Sequence, residues 1–132
     1  LIPQDRDLAL RVRLSDRFYD NYVHAPMQKI AGDRLRPADR RDPHGVEMAR
    51  ADLEHALTLV DRDMKDGGWA TGLAFTMADC SAAPALYHAD KVAPFAGRHP
   101  GAARYLDRLK ERPSFARVLK EAEPYLSNFP QG

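Results

Sequence analysis

Residues 75–92 read Phe75-Thr76-Met77-Ala78-Asp79-Cys80-Ser81-Ala82-Ala83-Pro84-Ala85-Leu86-Tyr87-His88-Ala89-Asp90-Lys91-Val92. Thr76 and Asp79 have the spacing of a capping box. The threonine hydroxyl can accept from the N–H of the third helical residue, and the Asp79 carboxylate can reach back to the Thr76 N–H. The carboxylate also suits the positive end of the helix dipole. Phe75 and Cys80 stand where a hydrophobic staple is placed. The residues behind the cap are small and apolar nearly all round, and a helix without a polar face is normally buried on all sides. The stretch therefore reads as a well-capped central helix, from Thr76 to about Val92, around which other helices pack. Pro84 lies inside it, a cost that packing or a kink must absorb.

Upstream, Leu1-Ile2-Pro3-Gln4-Asp5 reads as an incoming extended segment, with Pro3 keeping Ile2 out of the α region and Asp5 as N-cap. From Arg6 to about Ala31 the period is helical. Leu8, Val12, Ser15, Tyr19, Tyr22, Val23 and Ile30 fall on one face, flanked by a stripe of Arg11, Leu14 and Phe18. Pro26 is expected to bend this helix and Gly32 to cap it. Arg34 to Asp42 reads as a polar loop. Its four arginines are interleaved with Asp33, Asp39 and Asp42, which favours a solvated loop over a phosphate contact. Asp42-Pro43 starts a second long helix, with proline at its first position. Its apolar face is Val46, Met48, Ala49, Leu53, Ala56, Leu57, Val60 and Met64, and Gly67-Gly68 stops it after about Lys65.

Downstream of a short crossing segment, Trp69 to Ala74, and of the central helix, His99-Pro100 opens a fourth helix with Ala103, Leu106 and Leu109 inward. Arg112-Pro113 ends it and begins a fifth, carrying Phe115, Val118, Leu119 and Ala122. Pro124 closes that helix and leaves a tail, Tyr125 to Gly132. No segment alternates with period two for long. The expected architecture over residues 1–132 is a single all-α domain. Two long antiparallel helices pack on a buried central helix and on shorter C-terminal helices.

Composition agrees with a globular chain: 132 residues, 44% hydrophobic and 30% charged. The formal net charge of +1 gives no electrostatic argument for nucleic acid or an anionic membrane, and neither partner is expected. Residues 1–41 carry nine Lys/Arg against six Asp/Glu, and residues 42–66 three against seven, an asymmetry that reads as two solvated faces. The one cysteine, Cys80, allows no intrachain disulfide and reads as a small core hydrophobe. Neither a secretory h-region nor a membrane-length apolar run is present, so the expected location is cytoplasmic.

Chemistry-bearing patterns are scarce. His24, His44, His55, His88 and His99 include no pair at helical ligand spacing, and no metal site is expected. Asp61-Arg62-Asp63 begins like a calcium loop. The glycine comes one place late, and Gly72 stands where a bidentate glutamate is needed. On the residues alone, the reading stops at a helical domain.

The order of features resembles the C-terminal, all-helical domain of cytosolic glutathione transferases, bacterial members above all. Thr76 and Asp79 match that family's capping box residue by residue. Leu1 to Asp5 is similar to the linker that leaves its thioredoxin-like domain, and Arg112-Pro113-Ser114-Phe115 to the turn into its last helix. The resemblance implies that glutathione is a co-substrate, bound mainly by an N-terminal domain that this chain lacks. The catalytic Tyr, Ser or Cys would lie in that domain too. No catalytic residue is therefore assigned here, and the chain alone is expected to be inactive. It implies a wall for a hydrophobic electrophile, for which Arg11, Leu14, Ser15, Phe18 and Tyr22 are the candidates by position, with Phe129 from the tail. It also implies a homodimer built on the two long helices. Two alternatives stay open: a non-catalytic protein-interaction module, and a transferase-like ligand binder without activity.

Overall fold

Asp5 caps the first helix, its carboxylate accepting from the Leu8 N–H at 2.8 Å. The computed structural model describes all 132 residues. Helix α1 runs over Arg6–Phe18, passes into a π-helical turn over Tyr19–His24, and continues as α2 over Ala25–Arg34. A single helix bent at Pro26 is thus replaced by three registers. Pro26 sits in the first turn of α2. Upstream of it the Ala25 N–H reaches five residues back, to the Asp20 carbonyl. The widened ladder makes room for the ring and for the hydrogen bond it cannot donate. Val12, Tyr19, Val23, Met27 and Ile30 are buried, whereas Tyr22, assigned to that face by period, is exposed. Gly32 caps nothing, because α2 runs on to Arg34 and ends at a right-handed Leu35. The loop beyond is shorter than expected and contains a 3₁₀ turn at Ala38–Arg40.

Helix α3 spans Pro43–Met64, close to the sequence expectation. Asp42 caps it by accepting from the Gly45 N–H at 2.9 Å, and the Asp42 N–H in turn donates to Asp33 at 2.8 Å. Gly67 and Gly68, at φ of 83° and 87°, turn the chain through the left-handed region where a side chain would be strained. The two long helical stretches are antiparallel. Lys29 pairs with Asp42 at one end, Phe18 faces Leu59 further along, and Arg11 shares a groove with Arg62 at the other end.

Helix α4, Met77–Val92, packs against α1, the π turn, α2 and α5. Ala82, Ala83, Ala85, Leu86 and Ala89 are buried, and the small side chains allow close approach by several neighbours. Pro84 lies on the exposed side of the helix. Cys80 is also exposed, contrary to its reading as a core hydrophobe. Phe75 instead packs edge-on against Trp69 and lies 3.5 Å beneath the Arg112 guanidinium.

Helices α5 (Pro100–Glu111) and α6 (Pro113–Ala122) complete the bundle, and the chain ends through a 3₁₀ turn at Glu123–Asn128. The α5 N-terminus is capped from another helix. Asp61 of α3 accepts from the Gly101 and Ala102 N–H groups at 2.6 and 3.1 Å. Helix α6 lies on the bundle without fully burying any residue, and Val118 is half exposed. The core is centred on Val23, Ile30, Leu53, Leu57, Leu86, Phe95, Tyr105 and Leu109. No helix is long and apolar enough to cross a membrane.

Candidate functional site

Arg11, Leu14, Ser15 and Phe18 occupy successive turns of α1, so a 3- and 4-residue spacing brings them to one side. In the structure they line a groove of about 500 Å³ between α1 and α3, closed on the other side by Leu59, Val60, Arg62 and Asp63. Arg11 makes no ion pair, whereas Arg62 is tied to Asp63 at 2.8 Å. Leu14 is 70% exposed and forms an apolar lip. Ser15 is partly buried within the same wall.

Phe18 joins this groove to a second of about 690 Å³, where the π turn and α2 face α3. Tyr22 lies in the second groove only, stacked on Phe18 with ring centroids 5.8 Å apart and planes 27° from parallel. Tyr22 follows Phe18 by four residues and Arg11 by eleven, so helical period keeps it beside the α1 stripe and off the core face. Five of the six candidate residues thus form a furrow of two adjoining grooves that share Phe18 and Leu59. Phe129 is not among them. It packs on His88, with centroids 5.4 Å apart, and lines grooves beside α4 that contain none of the other five.

The opposite wall was not anticipated from the sequence. Met48, Asp52, His55 and Leu59 of α3 line the larger groove. Their spacing of four, three and four residues is a second stripe on α3, legible beside the apolar face that feeds the core. Met48 belongs to this stripe, being 53% exposed and not part of the core. The furrow thus offers aromatic and aliphatic surface with charge at its rims. It contains no nucleophile paired with a base, and no group of three or more His, Cys, Asp or Glu side chains could hold a metal ion. Its chemical capacity is to hold an apolar or aromatic group and exclude water from it.

Beneath the furrow, Thr76 and Asp79 form the expected capping box. Asp79 does more than cap. Its Oδ2 accepts from the Thr76 N–H at 2.8 Å and from the Thr76 hydroxyl at 3.2 Å, while Oδ1 accepts from the Ala70 N–H at 2.8 Å and the Tyr105 hydroxyl at 2.7 Å. The Tyr19 side chain lies beside that of Tyr105. Burial pushes both phenols well above the ordinary tyrosine value, and the nearby Asp79 charge adds to this. This ladder ties α5 and the crossing segment to the start of α4, and Tyr19 of the π turn packs beside it.

Residues 33–108, more than half of the chain, match the family profile described as glutathione S-transferase, C-terminal domain. No curated protein matches. Among solved structures, a glutathione S-transferase from Methylobacterium radiotolerans, in complex with glutathione sulfonate, is 29% identical. It superposes with a TM-score of 0.75 over 89% of this chain and 56% of its own. One from Methylobacillus flagellatus with glutathione bound is 23% identical, with a TM-score of 0.81 over 89% of this chain and 59% of its own. A glutathione transferase from Phanerochaete chrysosporium, in complex with oxidized glutathione, is 20% identical, with a TM-score of 0.76 over 92% and 56%. The chain therefore spans less than two thirds of the length of each. The helical order, the capping box at Thr76 and Asp79 and the profile match lead to one assignment. The chain belongs to the glutathione S-transferase C-terminal domain family.

Proposed function

We propose that this chain is the hydrophobic-substrate-binding domain of a glutathione S-transferase that conjugates glutathione to electrophiles. The observation that carries this reading is the furrow of two adjoining grooves that Arg11, Leu14, Ser15, Phe18 and Tyr22 line against α3. Glutathione is then a co-substrate held mainly by a separate thioredoxin-like domain, where its thiol is ionised. The thiolate attacks an electrophile lying on the Phe18–Tyr22 stack. This domain contributes position and water exclusion, and no proton transfer. The rims suit electrophiles with a polar substituent, since Arg11 has a free guanidinium at the edge of apolar wall. The same reading makes the working protein a cytoplasmic homodimer with a role in detoxification.

The test uses the native protein that carries this chain, purified from its source cells. Its intact mass, glutathione affinity and turnover with a chloronitrobenzene are measured together. Glutathione binding with turnover supports the transferase. Binding without turnover would make it an inactive ligand binder, and the absence of both would leave a protein-docking module that uses the exposed Leu14, Tyr22 and Met48.

A further inference from the structure

The last residues of the chain cross back over α4 and α2. Phe129 lies flat on His88, with centroids 5.4 Å apart and planes 18° from parallel, and the Lys91 ammonium stands 5.9 Å from the same ring. Beyond it the Pro130 carbonyl accepts from the Arg34 guanidinium at 3.0 Å. Apart from the turn at its start, the segment is fastened by this one hydrogen bond and by the stacked ring. It separates two grooves, one lined by His24, Met27 and Ala31, the other by Tyr87, Phe115 and Leu119, and His88 borders both.

The groups facing His88 have one sign. Lys91 approaches from α4 and His24 from the π turn. The remaining polar groups around the two grooves are Gln28 from α2, Tyr87 from α4, whose ring meets His88 edge-on at 5.2 Å, and Tyr125 and Asn128 from the C-terminal turn, all uncharged. Neither groove contains a carboxylate. The Nδ1 of His88 meets the Pro84 carbonyl at 2.9 Å, so that nitrogen carries the hydrogen of the neutral ring. A proton added at Nε2 would meet no carboxylate in either groove.

We propose that residues 123–132 form a strap that closes over neutral His88 and is released when His88 takes up a proton. Phe129 covers one face of the His88 ring, so opening returns that face to water and lowers the cost of the charge. The attraction of an imidazolium for the Phe129 face opposes this. Lys91, 5.9 Å from the Phe129 ring, adds repulsion that favours opening. Burial, then Lys91 and His24, hold the His88 ring below the ordinary histidine value, against the hydrogen bond to Pro84. The closed strap is therefore fully favoured above about pH 6.5 and is lost as pH falls below it. Opening uncovers the apolar surface of Met27, Ala31 and Phe115.

Hydrogen exchange of the whole chain tests this. Protection of the peptide covering residues 123–132, corrected for intrinsic exchange and compared with α3, is followed from about pH 7.5 to about pH 5. The expected result is a several-fold loss of tail protection at the acid end with α3 unchanged. His88→Phe keeps the stack and removes the proton site, and should abolish the loss, whereas His24→Asn should retain it. A tail equally protected at both ends of the range, or an unchanged loss in His88→Phe, overturns the proposal. If His88→Phe does not fold, the His88 ring is titrated by NMR in the wild type and in Phe129→Ala. Removing the covering ring should raise the midpoint toward the ordinary value, and an unmoved midpoint overturns the strap.

Discussion

Tyr105 donates its hydroxyl hydrogen to Asp79 Oδ1 across 2.7 Å, and neither side chain reaches solvent. No lysine or arginine pairs with this carboxylate. Its charge is held by neutral donors from the Thr76 and Ala70 backbone, the Thr76 hydroxyl and Tyr105. An ordinary N-cap contributes about 1 kcal/mol. Here removal of the carboxylate also strands a tyrosine hydroxyl and a loop N–H in the interior. Asp79→Ala is therefore expected to lose about 3 kcal/mol or more in urea unfolding. A loss near 1 kcal/mol would reduce Asp79 to a cap alone.

Two phenols at this ladder should resist alkali. Tyr19 and Tyr105 are raised by burial, so the folded chain holds their protons where the unfolded chain releases them. Their contribution to stability is complete below about pH 10 and is lost as pH rises beyond it. In ultraviolet titration, two of the five tyrosines should ionise only when circular dichroism reports unfolding. Reversible ionisation of all five in the folded chain would contradict this.

The α3–α5 contact should not tolerate a methyl group at Gly101. A Cβ there would meet the Asp61 carbonyl oxygen at 2.6 Å, which is backbone and cannot swing away. The Asp61 carboxylate would also lose its place over the α5 N-terminus. Gly101→Ala should cost about 2 kcal/mol, although alanine is the better helix former. Neutral or raised stability would show that the two helices separate easily.

Acid should weaken a surface cluster slightly. Glu54 accepts from Arg98 at 3.0 and 3.4 Å and meets His99 at 2.7 Å. The Arg98 hydrogen bonds, then His99, hold its carboxyl below the ordinary glutamate value, against some burial. A lowered carboxylate contributes stability above about pH 4.3 that is lost as pH falls through its folded value. The Glu54 side chain is 44% exposed, so solvent screening limits the effect to less than about 1 kcal/mol. Glu54→Gln should make the urea midpoint slightly less sensitive to acid than in the parent. An unchanged dependence would mean that Glu54 contributes nothing to it.

Helix starts and the central helix could be read from the sequence because they depend on local chemistry: Asp5, Asp42-Pro43, Thr76 with Asp79, and the small apolar run behind them. The furrow was half legible. Arg11, Ser15, Phe18 and Tyr22 follow one another at helical steps of four, three and four residues with Leu14 beside them, whereas the facing wall of Met48, Asp52, His55 and Leu59 was found only in the structure. The π turn upstream of Pro26 was not legible, because no local pattern separates it from an α-helix. The tertiary partners were hidden for a different reason. Asp61 capping α5 and Tyr105 reaching Asp79 join residues about 26 to 41 positions apart, which no local pattern encodes. Cys80 misled because apolar neighbours in sequence do not fix which side of a helix is covered, and it lies on the open side.

The central claim, that the α1–α3 furrow holds the electrophile, is tested most directly by Phe18→Ala in the full-length native protein. Steady-state kinetics are measured with glutathione and with an aromatic electrophile varied in turn. Loss of the ring should raise KM for the electrophile about tenfold or more, with KM for glutathione nearly unchanged. Equal KM values for the electrophile in wild type and variant would place its binding elsewhere and contradict the assignment.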